Sequence, residues 1–179
     1  MRLMVVATAL VAVVASTATG SAAMAGSDDS RNGNTLRVQL TGYEEDPLVL
    51  STSGAGQFSA QIDRSAQTIT YRLSYAGLAG NVTQAHIHFG GRAQSGAISV
   101  FLCTNNGNGP AGTQLCPAAP ATVTGVIRPA DVIGPAGQGI APGEFAELVA
   151  AIRAGATYVN VHSTTYPGGE VRAQLDHHN

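Results

Sequence analysis

Tryptophan is absent from this chain of 179 residues, aromatic residues make up only 5%, and charged residues only 11%. Glycine, in contrast, occurs 22 times. This composition predicts short strands joined by tight turns rather than long, charged helices. The formal net charge of −2 provides no basic surface for nucleic acid or for an anionic membrane. The chain also contains no glycine-rich phosphate loop, dinucleotide fingerprint or Cys-x-x-Cys motif.

Long apolar runs are absent too, except at the N-terminus. Met1-Arg2 is a short basic segment, residues 3–15 are apolar, and Ala23-Met24-Ala25 fits the small-residue cleavage rule. We therefore predict that residues 1–25 are a removed signal peptide and that the protein is secreted and extracellular. No later stretch approaches the roughly 18 consecutive apolar residues of a membrane helix. The predicted parts that follow are a disordered leader at 26–34, one domain at 35–176 and a tail at 177–179.

Cysteine is scarce, since Cys103 and Cys116 are the only two. In an exported chain they are expected to form a disulfide, because the extracellular environment is oxidising. The residues between them are almost all turn formers, and a bridge would hold this loop in place. The alternative, in which the two thiols bind a soft metal, fits an exported chain less well.

Alternation of apolar and polar residues, which is the period of a β-strand, recurs about eight times along the domain. One stretch has the helical period instead, because Phe145, Leu148, Val149 and Ile152 fall on one face. The sequence therefore predicts an all-β fold. Its expected form is an antiparallel β-sandwich or Greek-key barrel of about eight strands, with one short helix covering an open end.

Three of the five histidines lie on two strands with strict alternation, within Gln84–Gly91 and Tyr158–Glu170. Alternation places His86 and His88 on the solvent-facing side of the first strand, opposite its apolar residues, and His162 on the corresponding side of the second. An H-x-H pair sets two imidazoles on one face about 6.5–7 Å apart at their Cα atoms. If the two strands are neighbours, the three imidazoles suit a copper or zinc ion.

Other interpretations of these residues remain open. Gln84 and Asn160 lie on the histidine side and are candidates for fixing the imidazole tautomers in an outer shell. Alternatively, the histidines are half-exposed structural residues. The acidic segment Glu44–Asp46 is expected to be a solvated turn rather than a cation site. Hydroxyls beside His162 lack the G-x-S-x-G elbow of a hydrolase, and we identify no catalytic residue.

Four segments of the chain stand out as a set: Ala85–Gly90, Gly107–Thr113 between the cysteines, Tyr158–His162 and Tyr166–Arg172. Together they resemble the CHRD domain, a module named for its repeats in chordin and also found singly in secreted bacterial and plant proteins. The resemblance covers roughly residues 35–176. It implies an extracellular protein and, by analogy with chordin's binding of growth factors, a protein partner.

The first histidine strand also resembles the His-Val-His strand of copper/zinc superoxide dismutases, and Val161-His162 resembles a later strand that supplies another copper ligand in those enzymes. This resemblance implies a superoxide-dismutase-like sandwich with His86, His88 and His162 as copper ligands. No histidine lies between His88 and His162, so the bridging imidazole and the zinc-site histidines have no counterpart. The resemblance therefore implies a copper-only or general metal site.

Two functional hypotheses follow. The first is a secreted metal-binding β-sandwich that holds copper, or alternatively zinc, on His86, His88 and His162 for copper sequestration, delivery or redox chemistry. The second is an extracellular protein-interaction module of the chordin type whose histidines are structural. Enzymatic activity is the less expected outcome, and would be that of a copper-only, superoxide-dismutase-like oxidoreductase. The expected partners are a metal ion or an extracellular protein, with no nucleic acid and no membrane.

Overall fold

A computed structural model of the chain describes residues 34–176. The predicted signal peptide, the leader up to residue 33 and the tail at residues 177–179 lie outside the described residues. Those three predictions are therefore not addressed by the structure.

The described chain forms eight β-strands and one α-helix. The strands are β1 (Thr35–Thr41), β2 (Ala55–Asp63), β3 (Thr68–Ala76), β4 (Val82–Phe89), β5 (Ala97–Thr104), β6 (Ala121–Ile127), β7 (Thr157–Ser163) and β8 (Val171–Leu175), and helix α1 (Phe145–Arg153) lies between β6 and β7. Hydrogen bonds join the strands into one antiparallel sheet in the order β5-β4-β7-β8-β1-β2-β3-β6. The end strands β5 and β6 contact each other, so the sheet is a nearly closed barrel. The all-β prediction is confirmed.

The hydrophobic core lies inside the barrel and is built from the apolar side of each alternating strand. In β1, Leu36, Val38 and Leu40 are buried while the strand residues between them are exposed. The predicted stripe of α1 belongs to the same cluster as the strands: Phe145, Leu148, Val149 and Ile152. Burying a side chain of this size stabilises the fold by about 1.5–3 kcal/mol, so the stripe fixes α1 on the barrel.

Strands β7 and β8 depart from simple alternation, because every residue in both is buried. Alternation predicts a solvent-facing side for the histidine strands, and this expectation is wrong. Three connections fold over that side of the sheet: residues 42–50 between β1 and β2, residues 90–96 after β4, and residues 164–170 after β7. The polar side of these strands is therefore a second interior, lined by hydrogen-bonded side chains.

The two cysteines are joined, which confirms the predicted disulfide between Cys103 and Cys116. Cys103 lies near the end of β5, next to β4 in the sheet, and both cysteines are buried. Asn105 strengthens the same connection, since its side-chain amide donates to the carbonyls of Val82 and Cys116 and accepts from the backbone N–H of Cys116. The disulfide and the three hydrogen bonds of Asn105 thus help to hold this loop in place.

Candidate metal centre

The two histidine strands, β4 and β7, are direct neighbours in the sheet. Their antiparallel register pairs Gln84 with His162, His86 with Asn160, and His88 with Tyr158. His162 is therefore diagonal to His86, within reach of side chains on the same face. The metal hypothesis required these two strands to be neighbours, and the structure shows that they are.

The register brings the three imidazoles into one cluster. Among the described residues, His86, His88 and His162 are the one set whose possible ligand atoms all lie within 4.8 Å of one another. His86 Nδ1 and His162 Nε2 are 3.2 Å apart. Two nitrogens bound to one tetrahedral metal at 2.0–2.1 Å would be roughly 3.3 Å apart, so this spacing needs little adjustment to accept an ion.

Backbone carbonyls orient two of the rings. His88 Nδ1 donates to the carbonyl of Gly96 and His162 Nδ1 donates to the carbonyl of Pro167, each at 2.9 Å. A neutral imidazole that donates through Nδ1 keeps its lone pair on Nε2. Both rings are thus held with Nε2 as the ligating atom, the arrangement in which an outer-shell acceptor fixes the tautomer of a metal ligand.

Gln84 and Asn160, the side chains that the sequence suggested for this orienting role, form hydrogen bonds with other residues instead. Gln84 Oε1 accepts from Asn108 Nδ2 at 3.0 Å, and Asn160 Nδ2 donates to Glu45 Oε1 at 2.7 Å. Sequence reasoning did not find the carbonyls of Gly96 and Pro167, because every residue carries a carbonyl and no side-chain pattern marks these two.

Two imidazole nitrogens in the cluster have no hydrogen-bond partner. Among the described residues, His86 Nε2 and His88 Nε2 are buried and unpaired. Leaving a buried polar atom unpaired costs about 1–3 kcal/mol. For His88 the unpaired nitrogen is the one that carries the lone pair, and a metal ion would satisfy it. The residues present therefore fit a metal.

Burial keeps all three imidazoles neutral. It lowers the pKa of His86 from 6.5 to about 2, and the neighbouring His162 and His88 add to the effect. Burial also lowers the pKa of His88 to about 4, although the bond to Gly96 opposes this shift. The pKa of His162 is lowered for the same reason. Lone pairs are thus available at neutral pH without the loss of a proton.

A stack of side chains fixes the ring of His88 from one side. The Tyr158 ring is parallel to it at 4.7 Å between centroids, and the Arg172 guanidinium lies 3.5 Å from the centre of the Tyr158 ring. Arg172 Nη2 also donates to the carbonyls of Gly91 and Gln94, which belong to the covering segment 90–96. The cation–π contact and these hydrogen bonds hold the stack and the segment together.

The acidic segment differs from the solvated turn that the sequence predicts. Glu45 is only 8% exposed, and its carboxyl group accepts a hydrogen bond from the side chain of Asn160. Asn160 lies opposite His86 in the pairing of β7 with β4. Burial raises the pKa of Glu45 from 4.5 to about 7, while the charge of Arg172 and the bond from Asn160 act in the opposite direction. A buried acid thus contacts a side chain of β7, one of the two histidine strands.

Comparison with models of known protein families shows to which family the chain belongs. The model of the CHRD domain matches residues 36–175, almost the whole described chain. The chain belongs to the CHRD domain family. CHRD domains are an extracellular type of module, and the disulfide agrees with that environment. No curated protein and no solved structure matches the chain. Within residues 34–176, none of the helices has the length and apolar character needed to span a bilayer.

Proposed function

We propose that this CHRD domain is a secreted copper-binding protein that holds the ion on His86, His88 and His162, with zinc as the alternative metal. The observation that carries the proposal is the convergence of three neutral imidazoles whose ligand atoms lie within 4.8 Å of one another. Copper(II) binds a given set of nitrogen ligands more tightly than zinc does. An extracellular setting also removes the reducing conditions of the cytosol.

The burial of the site supports a role in retaining a metal ion. His86 is fully buried, and His88 and His162 are 8% and 6% exposed. The segments 90–96 and 164–170 supply the carbonyls that orient two of the rings, and the low exposure of the three histidines would restrict access to an ion bound between them. Slow exchange of this kind suits sequestration or protected delivery of copper. Redox chemistry would require in addition that a small reactant reach the ion.

The test is a copper titration of the untagged, metal-free protein, followed by metal analysis and by electron paramagnetic resonance of the Cu(II) form. We expect one copper per chain and a spectrum that shows nitrogen ligands. In the double variant His86→Ala/His162→Ala, which removes two of the three imidazoles, stoichiometric binding is expected to disappear. His88→Gln, a milder change, is expected to weaken binding and to remove one nitrogen from the spectrum.

The matched control is His177→Ala/His178→Ala, which removes the same number of imidazoles from the chain's other histidines. This variant is expected to bind copper as the wild type does. Circular dichroism shows which variants are folded. A folded wild type that takes up no stoichiometric copper or zinc would rule the proposal out, as would equal binding by the His86/His162 variant.

The second candidate is an extracellular protein-interaction module of the chordin type with structural histidines. Membership in the CHRD family favours it. If the titration fails in a folded protein, this candidate becomes the leading one, and the search turns to extracellular protein partners.

A further inference from the structure

The loop between the cysteines contains two Asn-Gly pairs, Asn106-Gly107 and Asn108-Gly109. An asparagine side chain loses ammonia most readily when glycine follows it, because glycine has no Cβ to hinder attack by its own backbone nitrogen. The two pairs lie in the same loop and have the same following residue. A difference in their reactivity therefore depends chiefly on the contacts that the fold gives to each of them.

The side chain of Asn108 is held at both of its polar atoms. Its Oδ1 accepts from the Thr104 hydroxyl at 2.7 Å, and its Nδ2 donates to Gln84 Oε1 at 3.0 Å. The glycine that follows is closely packed, since a Cβ at Gly109 would lie 2.8 Å from Thr113 Oγ1 and 3.1 Å from Thr104 Cγ2. Both hydrogen bonds would have to break before the Asn108 side chain could turn toward the backbone nitrogen of Gly109.

The side chain of Asn106 has no such restraint. Among residues 34–176 its side-chain amide makes no hydrogen bond, although its backbone N–H donates to Thr104 Oγ1 at 3.1 Å. Asn106 and Gly107 are both exposed, and apart from the chain neighbours no atom lies within 4 Å of the position that a Cβ would take at Gly107. The Asn106 side chain is therefore free to approach the backbone nitrogen of Gly107, and water reaches both residues.

We propose that Asn106 is a site of spontaneous deamidation and that the fold protects Asn108 from the same reaction. The backbone nitrogen of Gly107 attacks the side-chain carbon Cγ of Asn106, and an N–Cγ bond forms as the Cγ–Nδ2 bond breaks. Ammonia leaves with the proton that the Gly107 nitrogen loses, and a cyclic imide remains. Water then opens the imide at either of its two carbonyls, which yields aspartate or isoaspartate. The only co-reactant is water.

The product changes the charge of the loop but not its attachment to the barrel. Residues 104–115 contain no charged side chain, so the reaction places the first negative charge there. The disulfide and the hydrogen bonds of Asn105 involve neither Asn106 nor Gly107. The barrel and the histidine cluster should therefore persist while this exposed loop becomes more acidic as the protein ages. The inference is independent of copper binding.

The test is peptide mapping by tandem mass spectrometry of the folded protein, incubated in mildly alkaline buffer and sampled over time. We expect conversion of amide to acid at Asn106. The rate at Asn108 is expected to be lower by on the order of tenfold, because the hydrogen bonds to its side chain must break first. In the variant Gln84→Ala/Thr104→Val, which removes both partners of that side chain, Asn108 is expected to react about tenfold faster than in the wild type.

The matched control is the wild-type chain unfolded in urea with its disulfide reduced, in which neither Asn-Gly pair keeps its contacts. There Asn106 and Asn108 are expected to react at similar rates, and Asn106→Ser removes the signal at its own position alone. Asn32-Gly33, which lies outside the described residues, falls on a separate tryptic peptide and is quantified separately. Equal rates at Asn106 and Asn108 in the folded protein overturn the proposal. So does a folded protein in which Asn106 stays intact while the unfolded chain reacts.

Discussion

Glu45 lies in an environment that its sequence context does not predict. It lies in the acidic segment Glu44–Asp46, yet it is buried against Asn160 and near Arg172. Burial outweighs the attraction of Arg172, because the pKa of the Glu45 carboxyl is raised to about 7. Removing a carboxylate from water costs more here than one neighbouring charge and one hydrogen bond return.

This balance predicts a pH-dependent effect of Glu45→Gln. In the unfolded chain the carboxyl ionises around 4.5, whereas in the folded protein it ionises around 7. Its contribution to stability is therefore fully present below pH 4.5 and is lost as the pH rises toward 7. Glutamine keeps the oxygen that accepts from Asn160 but does not titrate. We expect the melting temperature of the variant, relative to wild type, to increase from pH 4.5 to 7 and then level off.

Differential scanning calorimetry across this pH range measures the effect. Glu147→Gln, at an exposed position on α1, controls for the loss of one carboxylate from the chain. A difference between Glu45→Gln and wild type that is constant over the whole range would contradict the buried, proton-holding role of Glu45.

At the scale of elements, the segment 90–96 is held by side chains from distant parts of the chain as well as by its own hydrogen bond between Gly91 and Gln94. Arg172 of β8 donates to the carbonyls of Gly91 and Gln94, and Ser95 donates to Asp46 in the β1–β2 connection. The carbonyl of Gly96 then orients His88. Buried Arg172 is thus one of the residues that hold this segment, and with it one ring of the histidine cluster.

Arg172→Met tests this dependence. The variant loses two charge-assisted hydrogen bonds and the cation–π contact with Tyr158. We expect unfolding free energy to fall by about 2–4 kcal/mol and copper affinity to fall because His88 is less well held. Urea denaturation measures the unfolding free energy, and the copper titration measures the copper affinity.

Arg72→Met is the control, because Arg72 is exposed and its guanidinium makes a surface hydrogen bond to Thr122 at 3.2 Å. Its cost is expected to stay below about 1 kcal/mol. Equal effects of the two arginine substitutions would show that Arg172 does not organise the segment 90–96.

At the scale of the whole molecule, the disulfide contributes to stability, whereas the pairing of β4 with β7 brings the histidines together, and the two effects can be separated. Cys103–Cys116 closes a loop with a sequence separation of 13, outside the ladder between β4 and β7. Cys103→Ser/Cys116→Ser is expected to lower the unfolding free energy by about 3 kcal/mol. Because β4–β7 pairing does not require the bridge, the variant should still bind one copper per chain while folded.

Urea denaturation and metal analysis of the same preparation check both parts of this prediction. For the urea denaturation alone, metal-free wild type reduced with dithiothreitol serves as the chemical equivalent of the substitution; the reagent is kept out of the metal analysis because it chelates and reduces copper. Loss of copper stoichiometry in a folded, bridge-free protein would show instead that the disulfide helps to shape the site.

The sequence predicted the features that depend on residues close together in the chain better than those that depend on distant ones. Alternation in the two histidine strands predicted that His86, His88 and His162 lie on the side opposite the apolar residues, and helical spacing predicted the stripe of α1. Both are confirmed by the structure. These features depend on backbone periods of two and 3.6 residues, which neighbouring residues reveal. The solvent exposure predicted for the histidine side was wrong, because distant loops cover it.

The sequence by itself determined the all-β fold, the pairing of the only two cysteines and the side of the strand on which each histidine lies. Only the tertiary structure decided that β4 and β7 are neighbours, so that His86 and His162, 76 positions apart, come within 3.2 Å. It also decided that the carbonyls of Gly96 and Pro167 orient the rings. The physical reason is that strand order and backbone acceptors arise from long-range packing, which no local spacing of residues encodes.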